Sequence, residues 1–97
     1  MRRLVTRLEA QLDIEEAAGW YERRRPGLGL RFLEELDHVL NRVSAAPLQF
    51  PAVHPSVRRA LLNRFPYSAY FLVGEEELEV IAVLHQRRHP DTWRSRF

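Results

Sequence analysis

The stretch LEVIAVLHQRRHP, residues 78–90, joins an apolar strand candidate to a dense run of cationic and imidazole side chains. In Leu78–Leu84 the apolar side chains fall on both faces, at 78, 80, 82 and 84 on one and at 81 and 83 on the other. A strand of this kind is typical of the middle of a sheet that is covered on each side. We therefore predict a layered domain with this strand inside and a donor-rich segment, His85–His89, at its end.

Further strands are predicted on either side of this one in the sheet. Residues 57–63 and 67–73 form two of them, and VGEEE at 73–77 is the hairpin turn into the last strand. A short strand is also predicted at residues 2–5. The segment LQFPAVHPSV, residues 48–57, is predicted to be a loop because it contains two prolines.

Two helices are predicted between the first strand and the loop. TRLE at residues 6–9 has the pattern of a capping box and starts the first helix, which runs to about Arg24 and is closed by the Pro26–Gly27 turn. Its apolar face consists of Ala10, Ile14, Ala17, Ala18 and Tyr21. The second helix starts near Leu28 and ends at Pro47. Its apolar residues recur every three or four positions: Phe32, Leu33, Leu36, Val39, Leu40 and Val43.

These elements predict an α+β fold. The order is β-α-α-β-β-β, with a helical hairpin packed on one face of a small, mainly antiparallel sheet. At 97 residues the chain is expected to form a single domain over residues 1–97.

Composition narrows the function classes. The chain has no cysteine, which excludes disulfides, thiolate nucleophiles and cysteine metal sites. It has no apolar run as long as a membrane span and no signal-peptide pattern, so a cytoplasmic protein is expected. All 15 cationic side chains are arginine, whose planar group suits phosphate and carboxylate partners. A GC-rich genome that favours arginine codons explains the missing lysine equally well.

The segment after the last strand has several possible roles. His85 and His89 are four residues apart, but the first lies at a strand end and no third ligand has suitable spacing, so neither a metal nor a cofactor is expected. Arg87 and Arg88 could bind an anionic partner, or one could pair with an acid of the helical hairpin such as Glu16 or Glu35; both readings stay open. Arg58 and Arg59 begin another strand, and antiparallel pairing could bring all four arginines to one rim of the sheet.

The ordered set of segments resembles the RelE/ParE toxins of bacterial type II toxin–antitoxin systems. The resemblance covers nearly the whole chain, and it is closer to the ParE and plasmid-stabilisation branch. Its segments are LDIEEAAGWYE, RPGLGLRFLEEL, the prolines at 47 and 51, VRRALLNRFPYSAYFLV and VLHQRRHPDTW.

The resemblance implies a growth-inhibiting toxin that binds a large target, DNA gyrase in the ParE branch, and is neutralised by an antitoxin. The expected target contacts are Arg58, Arg59, Arg64, His85, Arg87, Arg88, His89 and Trp93. Antitoxin contacts are expected at Trp20, Arg24 and Tyr70; Trp20 is included because it lies off the main apolar face of its helix.

Two other functions fit the same resemblance. A RelE-like, ribosome-dependent mRNA endonuclease would use His85, Arg87 and Arg64, although lysine is absent and no tyrosine follows Tyr70. A non-toxic, degenerate family member is the other reading. It is suggested by Gln86, where the branch commonly has glycine, and by His89, where it commonly has aspartate.

Overall fold

In a computed structural model, which describes residues 2–88 and 90–97, the elements follow in the order β1-α1-α2-β2-β3-β4-β5-α3. The strands are β1 (Arg3–Thr6), β2 (Ala52–His54), β3 (Val57–Leu61), β4 (Tyr67–Val73) and β5 (Glu77–His85). The helices are α1 (Leu8–Arg24), α2 (Leu28–Ala45) and the single turn α3 (Asp91–Arg94), and a 3-10 turn spans Pro47–Gln49. The predicted order and the α+β class are confirmed, with two short elements added.

The strands form one sheet in the order β1-β5-β4-β3-β2. β1 runs parallel to β5 and every other pair is antiparallel, so β5 lies inside the sheet, as predicted. The prediction of a loop across residues 48–57 is wrong at Ala52–His54, which forms the edge strand β2. Pro51 and Pro55 flank this strand, which suits an edge because proline cannot donate to a ladder.

A bulge changes the face that β5 presents. The β4–β5 register shifts between Tyr70 and Phe71, which pair with Ala82 and Val80, so Ile81 is the extra residue. Leu78, Val80 and Val83 consequently pack on the helix side, whereas Ile81, Ala82 and Leu84 belong to the cluster on the opposite side. Cover on both faces is confirmed, but strict alternation along β5 is wrong because the bulge reverses its phase.

The predicted capping box is also wrong. Thr6 is the last residue of β1 and pairs with Val80, so its side chain does not begin the helix. Arg7 is the extended N-cap residue of α1, it makes no side-chain cap, and its N–H donates to the Val80 carbonyl at 2.9 Å. Strand pairing therefore continues to the start of the helix.

A carboxylate from α1 fixes the turn of the helical hairpin. Glu22 accepts hydrogen bonds from the N–H groups of Gly27 and Gly29, each at 3.0 Å, at the N-terminus of α2. An acid there also complements the helix dipole. Gly27 has φ of 90°, and a Cβ on Gly29 would lie 2.6 Å from the Ala18 carbonyl oxygen, so both positions require glycine.

The sheet separates two apolar clusters. The larger lies between the sheet and the hairpin and includes the fully buried Phe32, Val43 and Phe71. The smaller lies on the other face, where Trp93 of α3 stacks on Tyr70 with ring centroids 5.3 Å apart. Trp93 therefore packs the C-terminal tail back onto the domain.

No helix within residues 2–88 and 90–97 has the length and apolar character needed to cross a membrane.

Candidate functional site

An aromatic cluster brings four separate elements together at one end of the molecule. The ring of Tyr21, near the end of α1, lies 4.8 Å from Phe65 in the β3–β4 loop and 6.0 Å from Tyr67 at the start of β4. Tyr67 in turn lies 5.4 Å from His85, the last residue of β5. Phe32, in the second turn of α2, lies 5.5 Å from the Tyr21 ring. The end of α1, the start of α2, the β3–β4 loop and the end of β5 are therefore neighbours.

These neighbouring segments carry almost half of the arginines in the chain. We call this group the arginine end: Arg23, Arg24, Arg25, Arg31, Arg64, Arg87 and Arg88. All seven side chains are exposed. Within the described part of the chain, none of these seven guanidinium groups forms an ion pair or a hydrogen bond. A set of solvated cations without partners in its own chain is suited to binding an anionic macromolecule.

Other arginines of the chain are engaged internally. Arg3 pairs with Glu77, Arg7 with Glu79 at 2.8 Å, and Arg2 donates to the Gly74 carbonyl at 2.7 Å. These pairs surround the acidic β4–β5 turn, at the end of β5 opposite His85. The near balance of charge, +2 in total, therefore hides an uneven distribution along the molecule.

The β3–β4 loop is held in place by an acid of α2. The Glu35 carboxylate accepts the N–H of Asn63 at 2.5 Å and the N–H of Arg64 at 2.9 Å. These bonds fix the backbone from which Arg64 projects. Glu35 therefore binds the loop backbone and does not pair with Arg87 or Arg88, which was one of the structural roles predicted for it.

Beside this loop lies a groove of about 920 Å³. Its apolar residues include Tyr21, Leu28 and Phe65, its cationic residues are Arg31 and Arg64, and the carboxylates of Glu34 and Glu35 also line it. The groove is open to solvent and could accept a segment of another chain.

A smaller cavity of about 220 Å³ lies between α1 and the end of β5. Glu16, Tyr67, His85 and Arg88 line it, so Arg88 shares this cavity with Glu16, one of the two acids predicted as its partner, but no ion pair joins the two among the described residues. His85 is half-buried, and its Nδ1 accepts the backbone N–H of Arg87 at 3.1 Å. This contact fixes Nε2 as the nitrogen that carries the proton in the neutral ring.

Burial raises the pKa of the Tyr67 phenol, and the negative charge of Glu16 raises it further, while Arg88 acts in the opposite direction. Burial also raises the pKa of Tyr21, with a smaller contribution from Tyr67. Tyr67 is therefore a neutral hydrogen-bond donor at physiological pH.

The predicted gathering of Arg58 and Arg59 with Arg87 and Arg88 is wrong. In register, Arg58 is opposite Phe71 and Arg59 opposite Tyr70, so both lie well before the end of β5. Arg58 is bound internally, donating from Nη1 to the carbonyl of Phe50 at 2.6 Å.

Arg59 lies on the other face of the sheet from Arg58, because neighbours in a strand alternate. Its Nε is buried and has no hydrogen-bond partner among the described residues. Tyr70 is 6% exposed and Trp93 is 5% exposed, so a partner could reach either only if the tail moved.

The remaining predicted residues lie at or near the arginine end. Trp20 is 44% exposed, and the guanidinium of Arg24 lies 4.3 Å from its ring centroid. Arg64, His85, Arg87 and Arg88 are brought to the same end, whereas His89 lies outside the described residues. Across residues 2–88 and 90–97, no group of three histidine, aspartate or glutamate side chains is arranged to hold a metal ion.

Sequence reasoning missed the contribution of the hairpin. In the run Arg23–Arg25 only Arg24 was predicted to bind a partner, the antitoxin, and neither Arg31 nor Tyr67 was assigned to a site. The signal was present: three consecutive arginines precede a Pro-Gly turn. What the sequence did not show is that α1 extends to the same end as the last strand.

A helical hairpin on a small mixed sheet, with its last strand inside, is the fold of the RelE/ParE toxin superfamily. The sequence matches the family model for the ParE toxin of the type II toxin–antitoxin system parDE over residues 4–90. The chain therefore belongs to the ParE toxin family.

A solved structure supports the fold. The chain is similar to one from the chromosomal ParDE TA system of P. aeruginosa, with a TM-score of 0.78 and 22% identity. The match covers 88% of this chain and 96% of that one. No curated protein sequence matches.

Proposed function

We propose that this ParE-family toxin inhibits growth by binding DNA gyrase through its arginine end, and that a cognate antitoxin neutralises it. The observation that carries the proposal is the set of seven unpaired, exposed guanidinium groups on four segments held together by the aromatic cluster. Membership of the ParE family supports the assignment as a toxin, and the arrangement of charge supports the arginine end as the surface that binds the target. The toxin acts here by binding, without a reaction of its own.

The proposal depends on rigid presentation of these side chains. Glu35 fixes the loop that carries Arg64, and Glu22 fixes the hairpin turn next to Arg25. Rigid positioning lowers the conformational entropy lost when a partner binds. Arg87 and Arg88 follow β5 after Gln86, in a turn closed by the Arg88 N–H donating to the His85 carbonyl at 2.9 Å.

An antitoxin segment would be held by the apolar features of the same end. Trp20 is exposed beside Arg24, and Leu30 and Leu33 on α2 are 61% and 40% exposed. Together with the groove of about 920 Å³, they suit an amphipathic helix that carries acidic residues. Such a complex would be released more readily at high salt, because exposed ion pairs are screened.

Gyrase supercoiling with purified protein tests the target. We expect the toxin to inhibit supercoiling. The variant Arg87→Gln/Arg88→Gln should inhibit about tenfold more weakly, because the loss of one well-formed charged contact costs about 1.4 kcal/mol of binding free energy. Arg42→Gln/Arg94→Gln removes the same charge away from the arginine end and should retain inhibition. Translation arrest with supercoiling unaffected would refute gyrase as the target.

The antitoxin is tested by expressing the small reading frame next to the toxin gene. Its product should co-purify with the toxin and restore supercoiling, and Trp20→Ala should weaken the complex. Failure of any adjacent product to bind would reject neutralisation by a cognate antitoxin. Normal growth when the soluble toxin is expressed alone would instead support the degenerate, non-toxic reading.

One observation favours mRNA cleavage as a second candidate function. The small cavity places His85, Tyr67, Glu16 and Arg88 together, and these side chains could transfer protons and stabilise a charged phosphate. Of the predicted set, Arg64 lies in the β3–β4 loop and Arg87 in the exposed turn, so neither lines this cavity. Primer extension on mRNA from induced cells tests this function. Codon-positioned cuts that His85→Ala and Tyr67→Phe abolish would establish it, whereas intact message would exclude it.

A further inference from the structure

We infer that the arginine end binds the phosphate backbone of duplex DNA directly, so that the toxin contacts DNA as well as its protein target. The inference rests on the proposed function in one respect: gyrase works on duplex DNA, so a toxin that binds gyrase would encounter DNA there. The binding itself depends on the chain alone and can be measured without gyrase.

The cationic charge at the arginine end is only partly compensated. Glu22 and Glu35 are turned toward backbone N–H groups, Glu34 lines the groove with Arg31, and Glu16 lines the small cavity with Arg88. Among the described residues, ion pairs join Arg3 to Glu77 and Arg7 to Glu79 at the far end of β5, and Arg96 to Asp13 at the tail, but none includes an arginine of this end. A polyanion that approaches the molecule is therefore attracted to one end and repelled by the exposed acidic turn Glu75–Glu77 at the other.

The arginines of this end project from four segments of the chain. The two shorter dimensions of the molecule are 28 and 22 Å. A surface as wide as the molecule in these directions would face at most roughly six to eight phosphates of one strand, at about 3.4 Å per phosphate. Several guanidinium groups can thus engage phosphates at once, each with bidentate geometry.

The aromatic rings at this end favour duplex over single-stranded nucleic acid. Single strands are held mainly by aromatic rings on which bases stack. At this end the Trp20 ring is covered by the Arg24 guanidinium at 4.3 Å. The Tyr21 ring is packed between Phe32 at 5.5 Å and Phe65 at 4.8 Å. One face of the exposed Trp20 ring is thus covered by Arg24 and the Tyr21 ring is enclosed, whereas seven guanidinium groups form no ion pair among the described residues. The surface therefore offers more charge than free ring area, which suits a stacked duplex that presents its backbone.

Fluorescence anisotropy with a labelled duplex of about 20 base pairs tests the inference, over roughly 50 to 300 mM salt. We expect binding that weakens linearly in log K against log salt, with a slope of about −3 for three or four phosphate contacts. Each phosphate contact then raises the association constant K for the duplex by a factor of about eight at roughly 0.1 M salt.

Two double variants locate the surface, and a third double variant serves as the control. Arg24→Gln/Arg25→Gln and Arg87→Gln/Arg88→Gln should each reduce K at least about fivefold and make the slope less steep by about 1. Arg42→Gln/Arg94→Gln carries the same charge change on exposed side chains elsewhere and should change K less than about twofold. Circular dichroism of each variant verifies that it is folded.

Three results would overturn the inference. They are the absence of salt-dependent duplex binding, an equal loss in the control variant, and tighter binding of an acidic polyglutamate peptide or a single strand than of the duplex. Supercoiling assays on the same preparations separate this inference from the proposed function. Gyrase inhibition without duplex binding would refute only the DNA contact, and duplex binding without inhibition would refute only the gyrase assignment.

Discussion

Replacing Asp13 by alanine should destabilise the toxin more than any exposed substitution on the same helix. The Asp13 carboxylate accepts from Arg96 Nη1 at 2.5 Å and Nη2 at 3.2 Å, and it also accepts the Val83 N–H at 3.0 Å. The Arg96 guanidinium donates to the Ile81 carbonyl at 3.1 Å. This ion pair therefore satisfies two backbone groups of β5 and fastens the C-terminal tail to α1.

The magnitude follows from the burial of the pair. The side chains of Arg96 and Asp13 are 18% and 12% exposed, so screening by solvent is small. Removing one partner of such a pair leaves an unpaired charge and costs about 3 kcal/mol. For a chain of this size that is a fall in Tm of roughly 12 to 24 °C. Arg96→Ala should cost less, about 2 kcal/mol, because Asp13 would keep the N–H of Val83.

Thermal unfolding followed by circular dichroism measures these effects in a double-mutant cycle. Asp13→Ala/Arg96→Ala should cost about 1 to 3 kcal/mol less than the sum of the two single variants, because no charge is left unpaired. Glu15→Ala, an exposed carboxylate on the same helix, is the control and should stay within about 0.5 kcal/mol of the parent. Additive single effects, each below about 0.5 kcal/mol, would show that the ion pair does not hold the tail.

Three further predictions concern the hairpin, the loop and the tyrosines. Gly29→Ala should destabilise by about 1 to 3 kcal/mol in urea unfolding, because the new Cβ meets the Ala18 carbonyl oxygen at 2.6 Å and the helices must separate; an unchanged midpoint would contradict the close approach. Glu35→Ala should lower the free energy of unfolding by about 1 to 2 kcal/mol and increase proteolysis of the β3–β4 loop, because two N–H groups lose their acceptor. An unchanged cleavage rate would show that the loop keeps its conformation without Glu35. Because the folded-state pKa values of Tyr21 and Tyr67 lie above the ordinary 10.0, the contribution of these two phenols to stability should be constant below about pH 10. Above that pH stability should fall, because the phenols ionise first in the unfolded chain. Tyr67→Phe should make that alkaline loss shallower, and an unchanged pH profile would contradict the shift.

Local patterns were sufficient to predict most of the secondary structure. α2 was predicted because its apolar residues follow the helical period, and its buried face contains Phe32, Leu36 and Val43. The start of α1 was predicted wrongly, since the pairing of Thr6 with Val80 prevailed over the capping pattern. The bulge at Ile81 could not be predicted from the sequence. Both faces of β5 are apolar, so an extra residue in the strand does not alter the pattern of apolar residues.

The candidate site was harder to predict because it depends on register. A sequence shows that Arg58 and Arg59 form a pair, but not that their strand meets β4 near Phe71, away from the end of β5. It also shows Arg23–Arg25 before a turn without showing which loops lie beside that turn. The arginines of the last segment were recognised by their density along the chain, whereas those of the hairpin join them only in three dimensions.

The length of β1 accounts for this arrangement. β1 ends at Thr6, level with Val80, and β5 continues for five more residues to His85. The chain therefore enters α1 part-way along β5, so Asp13 lies beside Val83 and the end of the helix extends beyond the sheet. The same mismatch in length leaves an open edge on β5, which Asp13 and Arg96 close. A longer β1 would satisfy that edge directly, but it would start α1 further along β5 and change the position of Arg23–Arg25 relative to Arg87 and Arg88. The ion pair at the edge and the arginine end are thus two consequences of one short parallel strand.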